Sequence, residues 1–147
     1  ITTRLVGSEM CIRDRYNYSG DIMKVLSIRE PYASLILSGV KKIETRSWKT
    51  NYRGELYIHA SLGKSSPSPE VMKLVSHTNP GYILCKAKLV DCIYMTKEYV
   101  EQMKKDNLTE YLCGDYQEGR YAWVLDGVEP VEPILVKGHL GIWNYDE

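Results

Sequence analysis

Four side chains close together in the chain, Lys41, Glu44, Arg46 and Trp48, have the types and spacing of a small polar site. The β-forming residues between them predict a strand. Because side chains alternate between the faces of a strand, Glu44, Arg46 and Trp48 share one face, with Lys41 at its start. This face offers an acceptor, two cations and a stacking surface. The same spacing is also typical of a surface ion pair beside a core aromatic, so both interpretations stay open.

The element before this strand is predicted to be a short helix. Residues 31–38 are mostly apolar and run from a proline to the residue before Gly39. Proline is favoured in the first turn of a helix and glycine just after the last turn, so the pattern predicts a helix over 31–38. The chain then enters the strand, which we expect to reach about Trp48.

Three residues on neighbouring elements are outer candidates for the same site. Ser27 lies on a predicted strand over residues 24–28. Arg53 lies in the predicted turn over 51–54, and His59 lies on the alternating strand over 55–61 that follows this turn. They would supply a hydroxyl, a cation for phosphate and an imidazole. A lone histidine on a strand is also typical of a structural hydrogen-bonding group, and this alternative for His59 stays open.

The other segments predict an α+β fold with more strands than helices. Five or six strands without a repeating strand–helix–strand order favour a mixed β-barrel over a doubly wound sheet. Strands are expected over 82–94, 121–125 and 134–143, helices over 69–78 and 96–106, and irregular chain over 107–120.

Apolar alternation indicates which strand residues form the core. In the strand over 82–94 the apolar positions change parity near Val90, which predicts a β-bulge of the kind that curls a sheet. The residues expected to face the core are Leu56, Ile58, Ala60 and Cys85.

Three separated blocks carry a family resemblance. In residues 23–48, the pattern Gly-x-Lys-x-x-Glu-x-Arg is formed by Gly39, Lys41, Glu44 and Arg46. The other blocks are 50–61 and 121–125 with 136–143. In this pattern and order the chain resembles the ASCH domain family, relatives of the PUA-like RNA-binding barrels, over about residues 23–145. The resemblance implies a PUA-like mixed β-barrel of about five to six strands with short peripheral helices, and a pocket centred on Lys41, Glu44 and Arg46.

The leading functional hypothesis is recognition of RNA or of a modified nucleoside or nucleotide. The cations at 41, 46 and 53 would hold phosphates, Trp48 would stack on a base, and Glu44 would accept hydrogen bonds from an exocyclic amine. A protein-interaction module is a further alternative.

The resemblance also implies a possible enzyme, because some ASCH proteins are amidohydrolases of N4-acylated cytidines. Their catalysis is attributed to the lysine of the pattern, a hydroxyl residue three positions on and a distant glutamate. Here the position three after Lys41 is Glu44, so the hydroxyl is absent. Lys41 and Glu44 would be catalytic only if the chain is a hydrolase, with Glu44 as general base and Lys41 polarising the amide.

Composition limits the partners of this chain of 147 residues. It has 19 Lys and Arg against 19 Asp and Glu, so its net charge of zero gives no global basic field. Residues 39–53 nevertheless form a local basic patch, in which Glu44 is the only carboxylate.

No apolar run approaches the ~20 residues that span a membrane. With four cysteines and no Cys-x-x-Cys pair, we expect no metal, no cofactor and a cytoplasmic protein.

The first 22 residues do not follow the pattern of the rest. They have neither a helical nor a strand period and resemble translated adapter read-through. We therefore expect a non-native or disordered leader over 1–22 and one ASCH-like domain over 23–147.

Overall fold

One six-stranded sheet with short helices around it makes up the part of the chain that the computed structural model describes, residues 22–146. The predicted leader, apart from Ile22, lies outside these residues. The elements are β1 Met23–Arg29, α1 Tyr32–Leu37, β2 Ile43–Arg46, β3 Gly54–Ser61, α2 Pro69–Met72, β4 Tyr82–Tyr94, α3 Lys97–Asp106, α4 Leu108–Leu112, β5 Tyr121–Leu135 and β6 Ile142–Tyr145.

The strand order β2-β5-β4-β3-β1-β6 places β2 and β6 at opposite edges of the sheet. Neighbouring strands are antiparallel except β1 and β3, which are parallel. The sheet curls into a half-barrel, and the predicted α+β, PUA-like architecture is confirmed.

The curl comes from irregular pairing between the two longest strands. The β4–β5 register shifts at three places, between Ile83 and Cys85, between Lys86 and Lys88, and between Leu89 and Asp91. Each shift inserts extra residues into one strand and increases the local bend. The bulge predicted near Val90 is therefore confirmed.

The prediction of two separate strands over 121–125 and 134–143 is wrong. β5 continues through residues 126–135, and β6 begins only at Ile142. Gly127 adopts a positive φ of 62°, which accommodates the irregular pairing. β2 pairs only with residues 121–124, so Pro130 and Pro133 lie where one edge of β5 has no partner. Proline has no backbone N–H, and at an edge without a partner strand no hydrogen bond between strands is lost.

Two predictions about helices also fail. α2 ends at Met72 instead of continuing to 78. Val71 alone of its four residues is buried, so little packing stabilises a longer helix. Helix α4 lies within residues predicted to be irregular. Its N-cap is Asn107, whose side chain accepts the Glu110 N–H. The residue that this helix buries is Glu110, so it lacks the buried apolar stripe by which a helix is recognised in a sequence.

The main core lies between the curled sheet and α1. It contains the predicted Leu56, Ile58, Ala60 and Cys85 together with Trp123. A second cluster around Trp143 covers the other face of β1. None of the helices within residues 22–146 is both long and apolar enough to cross a bilayer.

The position of the core can be tested with a matched pair of leucine variants. Leu56 is fully buried and Leu108 is 54% exposed. We expect Leu56→Ala to lower the free energy of unfolding by about 2–5 kcal/mol, because it leaves a cavity, and Leu108→Ala to change it by less than about 0.5 kcal/mol. Urea unfolding followed by circular dichroism measures both values, and equal losses would contradict this core.

Candidate functional site

An open cleft with a volume of about 1320 Å³ lies over the ends of β1, β2 and β3. Its far side is the irregular segment of residues 136–141, which we call the wall. Six of the seven predicted site residues line this cleft: Ser27, Lys41, Glu44, Arg46, Trp48 and His59.

The seventh predicted residue, Arg53, does not line the cleft. Its guanidinium donates to the carbonyl oxygens of Thr50 and Tyr52 and lies 3.9 Å from Asp91. These contacts hold Arg53 in the turn before β3. The basic patch predicted over residues 39–53 is therefore divided between the cleft and another surface.

Lys41 is the most buried charge of the cleft, with 1% of its surface exposed. Its Nζ donates to the carbonyl oxygens of Ile43 at 2.6 Å and Cys113 at 2.7 Å, and lies 3.6 Å from Glu44 Oε1. Each N–H of the ammonium thus faces an acceptor. Lys41 joins β2 to the end of α4, and this arrangement suits a positioning residue better than one that polarises a substrate.

The turn after α1 delivers Lys41 to this place. Gly39 has a φ of 88°, a left-handed conformation that glycine adopts at little cost, and the Lys41 N–H donates to Leu35 O. The predicted glycine at the helix end is thus confirmed, although Pro31 occupies the N-cap instead of the first turn.

Glu44 and Arg46 form a pair on the cleft side of β2. Arg46 Nε donates to Glu44 Oε2 at 3.0 Å, and Arg46 Nη2 donates to the carbonyl oxygen of Ser27 at 2.9 Å. The guanidinium has more N–H donors than these bonds use, and each carboxylate oxygen can accept another bond. The pair can therefore present a donor and an acceptor side by side to a ligand.

Trp48 follows the end of β2 and supplies an aromatic surface. It is 39% exposed, and its ring lies edge-on to Trp123 with centroids 4.7 Å apart. The Trp123 Nε1–H donates to the carbonyl oxygen of Trp48, which ties the backbone there to the core. Trp48 is thus a fixed and partly open ring, whereas Trp123 and Trp143 are buried core aromatics.

Ser27, His59 and Trp143 form a hydrogen-bonded network under the cleft, which we call the floor network. His59 is 1% exposed, with Nε2 at 2.8 Å from Val136 O. Because a carbonyl only accepts, Nε2 carries a proton. On the other side of the ring, Nδ1 is hydrogen-bonded to the Ser27 hydroxyl at 2.9 Å. Trp143 Nε1–H donates to Ser27 Oγ at 3.0 Å.

A serine and a histidine at this distance also have the spacing of a nucleophile and its base. The surroundings favour a structural role. The Ser27 oxygen already accepts from Trp143, and a Cβ at Gly138 would lie 2.7 Å from that oxygen and 2.6 Å from the His59 ring. The wall therefore covers the pair closely.

Glu110 is a site-supporting residue that the sequence interpretation missed. It is 3% exposed, and its carboxylate accepts the N–H groups of Lys42 at 2.9 Å and Ile43 at 3.1 Å. These bonds fix the backbone between Lys41 and Glu44. An N-cap Asn107 with a glutamate three residues later is a capping-box spacing, which was the available signal for this helix.

The lining of the cleft is positive although the chain is neutral. Its cations include four that the sequence did not indicate as site residues: Arg29, Arg120, Lys137 and, when protonated, His139. The carboxylates of the lining are Glu44 and Asp115. The cleft thus attracts anions through a local excess of cations.

Cys113 contributes a thiol to the lining. Burial raises its pKa by more than the nearby Lys41 ammonium lowers it, so the thiol stays protonated at neutral pH and is a weak nucleophile. Within residues 22–146, no three His, Cys, Asp or Glu side chains lie together as metal ligands would.

The curled six-stranded sheet has the PUA-like fold, with a polar cleft over the ends of β1, β2 and β3. The sequence model of the ASCH domain matches residues 26–135, and the chain belongs to the ASCH domain family. The crystal structure of ASCH from Zymomonas mobilis is similar in fold, with a TM-score of 0.50 and 21% identity over 76% of this chain and 72% of that chain.

Two curated relatives match by sequence. Human activating signal cointegrator 1 is 30% identical over 132 residues, and the mouse protein of the same name is 31% identical over 132 residues. Each match covers 82% of this chain and 22% of the relative. The chain thus spans about a fifth of the length of these relatives.

The bonds of Glu110 predict a second matched pair of variants. In Glu110→Gln, the amide oxygen can still accept one of the two backbone N–H groups, but the NH2 group faces the other. We therefore expect a loss of about 1–3 kcal/mol in the free energy of unfolding. Glu101→Gln, on the exposed side of α3, is the control and should change it little. Unfolding of the two variants at the same urea concentration would refute the anchoring role.

Proposed function

We propose that this domain binds single-stranded RNA by holding one unstacked nucleotide in the cleft. The observation that carries the proposal is the partly exposed Trp48 next to the Glu44–Arg46 pair, inside a cleft with an excess of cations. Stacking on aromatic rings, hydrogen bonds to base edges and cations along the backbone are the usual means of recognising unpaired RNA. Membership of a PUA-like family supports the same class of ligand.

The base would contact Trp48 and Glu44. A ring that is fixed at its backbone and open on one side loses little conformational freedom when a base stacks on it. Glu44 accepts hydrogen bonds, and cytosine presents an amine at N4 where uracil presents an oxygen. The proposal therefore includes a preference for cytosine over uracil.

The size and charge of the cleft suit a short segment of one strand. Its volume of about 1320 Å³ exceeds the roughly 300–1,000 Å³ of common small-molecule sites, so a nucleotide and parts of its neighbours fit. The neutral chain lacks the extended basic surface expected for a long duplex.

Amide hydrolysis of acylated cytidine remains the alternative activity. The contacts of Lys41 disfavour it, because the ammonium already faces two carbonyl oxygens and Glu44 and would have to leave them to polarise an amide. Release of acetate from N4-acetylcytidine, lost in Glu44→Gln, is the result that would replace the binding proposal with hydrolysis.

Trp48 provides the first test of RNA binding. We expect pentacytidylate to bind more tightly than pentauridylate, and Trp48→Leu to weaken pentacytidylate binding about 5- to 150-fold, because base–aromatic stacking is worth about 1–3 kcal/mol. Tyr94→Leu is the control, since Tyr94 is 50% exposed but lies outside the cleft. Fluorescence anisotropy gives the Kd values. Equal effects of the two variants would exclude stacking on Trp48.

The two arginines that the sequence suggested give a second test. Arg46→Ala removes a cleft guanidinium and leaves Glu44 without this partner, so we expect at least a tenfold loss of pentacytidylate affinity, about 1.4 kcal/mol, and a weaker dependence on salt. Arg53→Ala removes the same charge outside the cleft and should have little effect. Titrations at several salt concentrations measure both, and a larger loss in Arg53→Ala would move the binding surface to that turn.

A further inference from the structure

The wall, residues 136–141, forms one whole side of the cleft without being part of a helix or strand. It leaves the end of β5 at Leu135 and enters β6 at Ile142. One side of the cleft is therefore built by irregular chain between two strands.

The beginning of the wall is fixed by backbone hydrogen bonds. Val136 O accepts from the buried His59 at 2.8 Å, and the Val136 N–H donates to Gly81 O at 3.1 Å. Gly138 then lies directly on the floor network, where a Cβ would come within 2.7 Å of Ser27 Oγ. Only glycine allows this approach without a displacement of the wall.

The end of the wall is fixed through Trp143. The His139 ring packs edge-on against the Trp143 ring with centroids 5.0 Å apart, and the Trp143 indole donates to Ser27. A Cβ at Gly141 would lie 4.0 Å from the Trp48 ring. Ser27 thus connects both anchored ends of the wall, and the wall ends beside the aromatic ring of the cleft.

The side chains next to Gly138 have the character of an anion site. Lys137 and His139 are both exposed and both line the cleft. Across the described part of the chain, Lys137 makes no ion pair. Nor do the backbone N–H groups of residues 137–141 donate a hydrogen bond to any described residue. An ammonium, an imidazole and open N–H groups on an anchored backbone are donors suited to a phosphate.

We propose that the wall is a phosphate-binding subsite, in which Lys137 and His139 hold the phosphate, and Ser27 and His59 are positioning residues. The assignment to a phosphate next to the base on Trp48 rests on the proposed RNA binding. Phosphate binding by the wall itself does not depend on it.

Inorganic phosphate tests the subsite without RNA. In ¹⁵N NMR spectra of the full chain, we expect phosphate to shift the amide signals of residues 137–141 until saturation. Lys137→Ala should weaken this binding at least about fivefold, since a charge-assisted contact is lost. Lys105→Ala, an exposed lysine of α3, should not. Absence of saturable shifts, or equal effects of the two variants, overturns the proposal.

Two RNA probes distinguish the source of the phosphate. A 5′-phosphorylated pentacytidylate that binds more tightly than the unphosphorylated form in the wild type, but not in Lys137→Ala, indicates a terminal phosphate. An equal loss for both probes in Lys137→Ala indicates a backbone phosphodiester. If neither probe binds while inorganic phosphate still shifts the wall, the RNA proposal fails and the subsite stands.

His59 variants test the positioning role. His59→Gln keeps an N–H donor that can reach Val136 O, whereas His59→Leu leaves this carbonyl without its buried partner. We expect His59→Leu to weaken phosphate binding about threefold or more although Lys137 is unchanged, and His59→Gln to restore part of it. A folded His59→Leu protein with wild-type phosphate affinity rules out positioning. If it does not fold, Gly138→Ala, which displaces the wall, replaces it in the same comparison.

Discussion

The arrangement of the cleft depends on one buried charge. Placing an ammonium in the interior is costly unless acceptors surround it, and Lys41 finds two carbonyl oxygens and the carboxylate of Glu44. One of the carbonyls belongs to Cys113 at the end of α4, so the lysine can be satisfied only when α4 lies against β2. The same helix supplies Glu110 to the backbone of β2. The contacts that satisfy the Lys41 charge therefore also fix the position of β2.

The two sides of the cleft are built by different means. β2 carries Glu44 and Arg46 on a regular strand whose partner β5 fixes the alternation of side chains. The wall has no ladder. It is held by the hydrogen bonds of Val136 to His59 and Gly81, by the close approach of Gly138 and by the packing of His139 on Trp143. The position of the wall therefore depends on fewer hydrogen bonds than the position of β2, so the loss of one of them has a larger effect.

Much of the fold and the polar face of β2 could be predicted from the sequence because they depend on local patterns. Alternation placed Leu56 and Ile58 in the core and Glu44 with Arg46 on one face. The continuation of β5 and helix α4 were missed, since each depends on tertiary contacts: an unpaired sheet edge in one case and the buried carboxylate of Glu110 in the other. For the same reason, no local pattern could show that Arg53 points away from the cleft or that residues 136–141 return to cover His59.

The separation of the two sides along the chain has a consequence for divergence. Lys41 and Glu110 are tied to the placement of β2 in the sheet, whereas the wall lies after β5 and contacts the sheet at few points. Substitution of the exposed Lys137 is therefore expected to leave folding intact, whereas a change at Lys41 or Glu110 removes buried contacts. The exposed side chains of the wall can therefore change with little effect on the stability of the sheet.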